Sequence, residues 1–121
     1  MGYRSAVALV LSPKGVEVLN SKLHDATSQK SSHSTLGRLL ENADEQGEDS
    51  RTGDKFWYWE WIKWYPEYPE IEILEGIMSE LADEEYQFIR LGEENTDIEQ
   101  RGAYYNNPFG MDLRRSIVFD N

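Results

Sequence analysis

The hydrophobic and polar positions at the start of the chain predict a strand followed by a helix. Residues 3–11 are apolar on both faces, which is typical of a central strand that is covered on both sides. Ser12 and Pro13 follow, and these are residues that helices favour as the N-cap and the first helical position. Three apolar residues then recur at helical spacing, namely Val16, Leu19 and Leu23.

A polar tract separates this helix from the next apolar segment. Residues 24–35 are polar and rich in serine, so we expect the first helix to end near them. The leucines within residues 36–40 predict a further turn or a second helical piece, although Gly37 disfavours a helix by about 1 kcal/mol. Residues 41–54 are acidic and have little apolar surface to bury, which predicts an exposed, mobile loop.

An aromatic stripe at residues 56–65 contains all four tryptophans and predicts the second strand. Strict alternation along a strand would separate its large side chains into two sets. One set is Trp57, Trp59 and Trp61, and the other is Phe56, Tyr58, Ile62 and Trp64. Pro66 and Pro69 end the strand because proline cannot donate to a sheet ladder.

The second half of the chain predicts one more helix and the remaining strands. Residues 70–81 have the clearest helical periodicity, and residues 86–91 form a third strand. Residues 93–102 predict an acidic turn that could hold a short strand near residues 97–100, and we expect the fourth and last strand at residues 115–119. Together the pattern predicts a single α+β domain over residues 1–121. Two helices pack on a four-stranded mixed or antiparallel sheet in the order β-α-β-α-β-β.

Composition restricts the partners and the compartment. The chain has 121 residues, a net charge of −11 and no cysteine. Residues 41–121 contain seven basic and twenty-one acidic side chains, so most of the negative charge lies there. An acidic surface disfavours direct binding to nucleic acid and to anionic membranes, and it suits a basic protein partner. The lack of cysteine fits a reducing compartment, and the short apolar start does not resemble a signal peptide, so we expect a soluble cytoplasmic protein.

The aromatic stripe has two interpretations. Its rings form either the core beneath the helices or a contact surface, because tryptophan and tyrosine dominate both settings. The surface interpretation assigns partner binding to Trp57, Trp59, Trp61, Lys63 and Tyr65, with the other set of rings facing inward. A wide apolar strand face would also permit a homodimer.

The acidic residues carry the other candidate surface. They are Glu70, Glu72, Glu75, Glu80, Asp83, Glu84, Glu85, Glu93, Glu94, Asp97 and Glu99. Such carboxylates could imitate the charge of a nucleic-acid backbone or hold a divalent metal in a small hydrolase. The chain has no phosphate-binding glycine loop, no zinc-ligand spacing and no nucleophile elbow. We therefore predict no catalytic residue, no metal ligand and no cofactor.

Four segments resemble a group of small phage and prophage proteins of unknown function. These segments are MGYRS at residues 1–5, WIKWY at 61–65, FIRLGE at 88–93 and DIEQRG at 97–102. The resemblance implies a bacterial host cell and a viral gene, and it brings no assigned catalytic residues. It also favours a protein that binds host machinery.

These observations predict a non-enzymatic, phage-type protein that binds a host protein and inhibits host defence or nucleic-acid machinery. One alternative is an acidic mimic of DNA that occupies the groove of a nucleic-acid-binding protein. A second alternative is a small metal-dependent hydrolase that uses clustered carboxylates.

Overall fold

Three helices and a five-stranded antiparallel sheet make up the protein in a computed structural model that describes residues 2–25, 31–94 and 96–110. The elements in chain order are β1 (Ser5–Leu11), α1 (Pro13–Asp25), α2 (Ser31–Glu41), β2 (Glu45–Glu48), β3 (Lys55–Ile62), α3 (Pro69–Glu80), β4 (Tyr86–Leu91) and β5 (Ile98–Gly102). The strand order across the sheet is β2-β3-β1-β4-β5, so the first strand of the chain lies at its centre.

The α+β class predicted from the sequence is confirmed, and the number of elements is not. Among the described residues the sheet has five strands rather than four, all neighbouring strands are antiparallel, and there are three helices rather than two. The additional helix is α2 and the additional strand is β2. The strand predicted at residues 115–119 lies outside the described residues.

The first helix begins where its sequence predicts. The Ser12 hydroxyl accepts a hydrogen bond from the Gly15 backbone N–H at 3.2 Å, which satisfies one of the donors that every helix start leaves open. The last part of the serine-rich tract belongs to α2, which begins at Ser31. Leu36 and Leu40 of α2 are buried, and this burial stabilises a helix that polar residues alone would not favour.

All three helices pack on one face of the sheet. On β1 this face carries Val7, Leu9 and Leu11, which are fully buried. The paired residues of β3 and β4 extend the same face, for example Trp57 and Phe88 on either side of Leu9. Leu74 of α3 is equally buried in this core. We call the opposite face of the sheet the outer face.

Residues 41–54, predicted as a loop, contain the edge strand β2 and a tight turn. β2 pairs with β3, so that Gly47 lies opposite Phe56. The turn closes with a hydrogen bond from the Asp49 N–H to the Asp54 carbonyl at 2.9 Å. Gly53 has a φ of +88°, a left-handed conformation that favours glycine. The loop prediction is therefore wrong for β2, although Glu45 and Glu48 of this strand are exposed as expected.

Residues 103–110 follow β5 and form what we call the strap. The Ala103 N–H donates to the Asp83 carbonyl at 2.6 Å, and the Tyr104 N–H donates to the Tyr86 carbonyl at 3.1 Å. These bonds hold the strap across one end of the sheet. None of the three described helices has both the length and the apolar character needed to cross a bilayer.

Candidate functional site

A β-bulge in β3 decides which tryptophan reaches the surface. Val7 of β1 pairs with Trp59 of β3, and Ser5 pairs with Ile62. A step of two residues along β1 therefore lies opposite a step of three residues along β3. An extra residue in one strand shifts its alternation by one position. Ile62 therefore takes the helix-facing position, and Trp61 is displaced from it with 57% of its surface exposed.

Trp57 and Trp59 are buried in the core, so the prediction that they contact a partner is wrong. The Trp59 indole N–H donates to the Leu39 carbonyl of α2 at 3.0 Å. Its ring centroid lies 5.6 Å from that of Trp64, which is also buried. The Trp64 indole N–H donates in turn to the Glu75 carboxylate of α3 at 3.2 Å. These tryptophans attach the helices to the sheet. Trp64 faces inward, as was expected of its set, but Phe56 and Tyr58 of that set lie on the outer face, so the prediction is wrong for them.

Trp61 borders a groove of about 400 Å³ that lies between β3, α2 and the start of α3. We call this the Trp61 groove, and its principal lining residues are Arg38, Leu39, Asp44, Trp61, Ile62 and Glu70. It begins where β2 stops and β3 continues. There the Asp44 N–H donates to the Tyr58 carbonyl at 2.8 Å, and the Asp44 carboxylate accepts from the Glu60 N–H at 2.6 Å. Asp44 thus satisfies two backbone groups at the edge of β3, and these bonds hold its side chain in the groove lining.

The Trp61 groove combines apolar surface with three charges. Leu39 and Ile62 supply aliphatic surface beside the exposed indole, while Arg38 contributes a cation. Asp44 and Glu70 contribute two carboxylates. A mixed lining of this kind suits a protein side chain with both an apolar stem and a polar head.

Lys63 and Tyr65 belong to a different part of the surface. The Tyr65 hydroxyl accepts a hydrogen bond from the Tyr3 N–H at 2.8 Å. A methyl group placed on Gly2 would lie 2.9 Å from both the Lys63 side chain and the Tyr65 hydroxyl. These two side chains therefore hold the N-terminal segment, and the five predicted contact residues do not form one patch.

Several of the predicted acidic surface residues stabilise the fold instead. Arg90 donates to Asp97 at 2.8 Å, to Glu99 at 3.0 Å and to the Ser5 hydroxyl at 3.0 Å. The hydrogen bond to Asp97 is the main reason that the pKa of Arg90 is raised. The Tyr3 hydroxyl also donates to Asp97 at 2.6 Å, so this carboxylate joins the N-terminus to β4 and the turn before β5.

Other carboxylates of this group make contacts across the fold. The Ser12 hydroxyl donates to Glu85 at 2.6 Å, the Arg4 N–H donates to Glu93 at 2.7 Å, and Lys22 lies 3.3 Å from Glu80. Six of the eleven predicted acidic residues are exposed, namely Glu72, Glu80, Asp83, Glu84, Glu93 and Glu94. Glu70, which is half-buried, belongs to the Trp61 groove. The exposed acidic surface is therefore smaller than the sequence predicts.

A buried carboxylate that the sequence did not single out lies beneath the strap. Asp54 is only 1% exposed, and it accepts hydrogen bonds from the Thr52 hydroxyl and from the Tyr104 hydroxyl, the latter at 2.5 Å. Burial, followed by the hydrogen bond to Asp54, raises the pKa of Tyr104 to about 12. We call this pair the Asp54–Tyr104 clasp. Because Asp54 lies in an acidic tract, its sequence gives no signal that separates it from its solvated neighbours.

Among the residues that the structure describes, no three His, Asp or Glu side chains are grouped so that they could hold a metal ion. No protein-family model matches the chain, and neither the comparison with curated proteins nor that with solved structures gives a match.

Proposed function

We propose that the chain is a non-enzymatic, phage-type protein that binds a host protein through the Trp61 groove. The observation that supports this most directly is the exposed indole at the β-bulge. The other three tryptophans are buried, whereas Trp61 is 57% exposed beside a groove. Tryptophan is enriched at the energetic centres of protein interfaces because it buries a large, rigid surface at little entropic cost.

The partner we propose is a basic protein, such as one that binds nucleic acid. The chain has a net charge of −11, and the Trp61 groove contributes two carboxylates against one guanidinium. Opposite charge steers encounter and selects partners more than it adds affinity. A basic side chain would find the face of Trp61 for a cation–π contact and the carboxylates of Asp44 and Glu70 nearby.

A pair of variants tests this proposal. The immobilised protein would be incubated with bacterial lysate at low and high salt, and the retained proteins would be identified by mass spectrometry. We expect Trp61→Ala to lose the specific partner while its circular dichroism and melting temperature stay close to those of the wild type. Tyr105→Ala is the matched control, because Tyr105 is 67% exposed and lies outside the Trp61 groove. Retention of the same partner by Trp61→Ala would contradict the proposal.

The salt dependence separates the proposal from DNA mimicry. An interface centred on Trp61 keeps much of its affinity at high salt, because burial of an aromatic ring is not screened. A mimic that relies on exposed carboxylates such as Asp83 and Glu84 would release its partner in salt and compete with duplex DNA. Sensitivity to the double substitution Asp83→Asn and Glu84→Gln, together with indifference to Trp61→Ala, would favour the mimic.

A further inference from the structure

The last described strand, β5, has a strand partner on one side only. Within the described part of the chain, it lies at one end of the strand order and pairs with β4. The Gly92 N–H donates to the Asp97 carbonyl at 2.8 Å, so the backbone of Asp97 faces β4. Because the hydrogen-bonding direction alternates along a strand, the backbone N–H and C=O of Gln100 face away from β4. These groups form an open edge, which is a template for a further strand.

The sequence of β5 is complementary to itself in an antiparallel pair. Residues Ile98–Gly102 read IEQRG. When two copies pair around Gln100, Glu99 of each copy lies opposite Arg101 of the other, so the contact contains two opposite-charge pairs. A shift of two residues in either direction would instead place Glu99 opposite Glu99 or Arg101 opposite Arg101. The charges therefore select one register, and it has the twofold symmetry of an isologous dimer.

Both charged side chains keep hydrogen-bonding capacity for this contact. Glu99 accepts from the Arg90 guanidinium at 3.0 Å, and Arg101 donates to the Ser79 hydroxyl at 3.3 Å. A carboxylate has two oxygens and a guanidinium has five N–H donors, so one bond exhausts neither group. The internal contacts hold both side chains on the helix-facing side of β5, where each can meet its opposite on a second copy.

Ile98 gives the contact an apolar component. It is 39% exposed, and it is one of three large apolar side chains that stay exposed among the described residues. In the selected register Ile98 lies opposite Gly102 of the second copy, which has no side chain to obstruct it. The isoleucine can therefore cover the backbone of the second copy, and burial of exposed apolar surface favours association.

We propose that β5 is a dimerisation edge, at which a second copy of the chain adds its own β5 in antiparallel orientation. The two five-stranded sheets then become one continuous sheet. The edge is short, and interfaces of small area are typical of weak complexes, so the dimer is expected to dissociate on dilution. The Trp61 groove lies on the far side of the sheet beside β3, and this dimer leaves it open.

Cysteine cross-linking in the full chain tests the register, because the sequence contains no cysteine. In Gln100→Cys the two Cα atoms of position 100 would lie about 5.5 Å apart, which is within the range of a disulfide. Ile98→Cys is the matched control, since it is exposed on the same strand but its two copies would lie about 13 Å apart along the sheet. We expect mild oxidation to give disulfide-linked dimers of Gln100→Cys and few of Ile98→Cys. Equal yields would overturn the proposal.

Sedimentation equilibrium of the full chain tests the charge pairs. Arg101→Glu would set a carboxylate opposite Glu99 in both halves of the contact, while it removes only the hydrogen bond to Ser79 within the fold. Arg51→Glu is the matched control, because it makes the same change in net charge at an exposed side chain beyond β2, at the other end of the sheet.

The measurement would use about 150 mM salt, which screens the general repulsion between two copies of net charge −11. We expect the wild type to show a mass that rises with concentration, and Arg101→Glu to raise the dissociation constant of the dimer by about tenfold or more. Arg51→Glu should change it much less. A wild-type chain that stays monomeric up to about 1 mM, or equal effects of the two variants, would overturn the proposal.

Discussion

The Asp54–Tyr104 clasp gives the most quantitative prediction. We expect Tyr104→Phe to destabilise the protein, because the substitution removes one of the two hydroxyl groups that donate to a carboxylate with 1% exposure. A buried acceptor that loses a donor keeps the cost of its desolvation. The ring itself is retained in the variant, so packing changes little.

The size of the effect follows from the kind of bond. A hydrogen bond to a charged group contributes about 1.5–3 kcal/mol to stability. For a chain of this length, 1 kcal/mol corresponds to about 4 °C in melting temperature, so we expect a decrease of about 6–12 °C. Thermal and urea denaturation of both proteins at pH 7 would measure it. Tyr105→Phe is the matched control, because Tyr105 is adjacent to Tyr104 in sequence and its ring is exposed.

The pH dependence gives the same prediction a second signature. The pKa of Tyr104 is raised from 10.0 to about 12 in the folded protein. Below pH 10 the hydroxyl is protonated in both the folded and the unfolded chain, so its contribution to stability is complete. Between pH 10 and about 12 the unfolded chain loses the proton first, and the contribution declines. The stability difference between wild type and Tyr104→Phe should therefore shrink over this range.

Two results would refute this reasoning. One is a loss of less than about 0.5 kcal/mol at pH 7, which lies within the range of ordinary surface substitutions. The other is a stability difference that stays constant from pH 9 to 12, because the clasp requires a protonated Tyr104.

Three further predictions concern the core, the ion-pair network and the glycines. Trp59→Ala should lower the free energy of unfolding by about 3–5 kcal/mol in urea denaturation, because it leaves a cavity in the core and removes the hydrogen bond to the Leu39 carbonyl. A decrease of less than about 1 kcal/mol would contradict the core position of Trp59. Arg90→Lys should cost about 1.5–3 kcal/mol by the same assay, because an ammonium group cannot donate to Ser5, Asp97 and Glu99 at once as the guanidinium does. A variant as stable as the wild type would show that this network is dispensable. Gly76→Ala should stabilise α3 by about 0.5–1 kcal/mol. Gly102→Ala should destabilise the protein, because φ is +79° and the new methyl would collide with the Tyr86 carbonyl oxygen. Melting temperatures that shift in the same direction in both variants would contradict this prediction.

The sequence predicts those helices and strands whose conformation depends only on neighbouring residues in the chain. The helix expected at residues 70–81 is α3, and the strand expected at residues 86–91 is β4 with the same bounds. The Ser12 cap likewise acts within four residues. In each case periodicity or a local hydrogen bond determines the conformation, without information from the rest of the chain.

The sequence could not predict which side of the sheet each aromatic residue lies on, because the register with the partner strand determines this. Trp57, Trp59 and Trp61 alternate regularly in the sequence, and nothing in those residues marks a bulge. The bulge arises from the register with β1, where Ser5 pairs with Ile62. A shift of one residue reverses the side on which every later side chain lies. Of the predicted contact residues, the candidate site therefore retains Trp61 as its exposed ring, with the buried Trp59 as part of its lining.

Burial of charge was the other unpredictable feature. Asp54 follows a run of acidic residues, and such runs are usually solvated. Its burial depends on Tyr104, which is 50 positions away in sequence. Composition in a short window cannot identify a partner at that distance.

The central position of β1 has a consequence for how the chain folds as it is synthesised. In chain order β1 precedes β3 and β4, yet it lies between them in the sheet, and its Leu11 pairs with Tyr86. Most of the chain must therefore be made before β1 has both of its neighbours. Until β4 is made, Val7, Leu9 and Leu11 lie on an apolar strand with at least one open edge, which is a state prone to aggregation. Such non-local pairing also slows folding, so this edge of β1 stays open for longer than the edge of a strand that pairs with its neighbours in sequence.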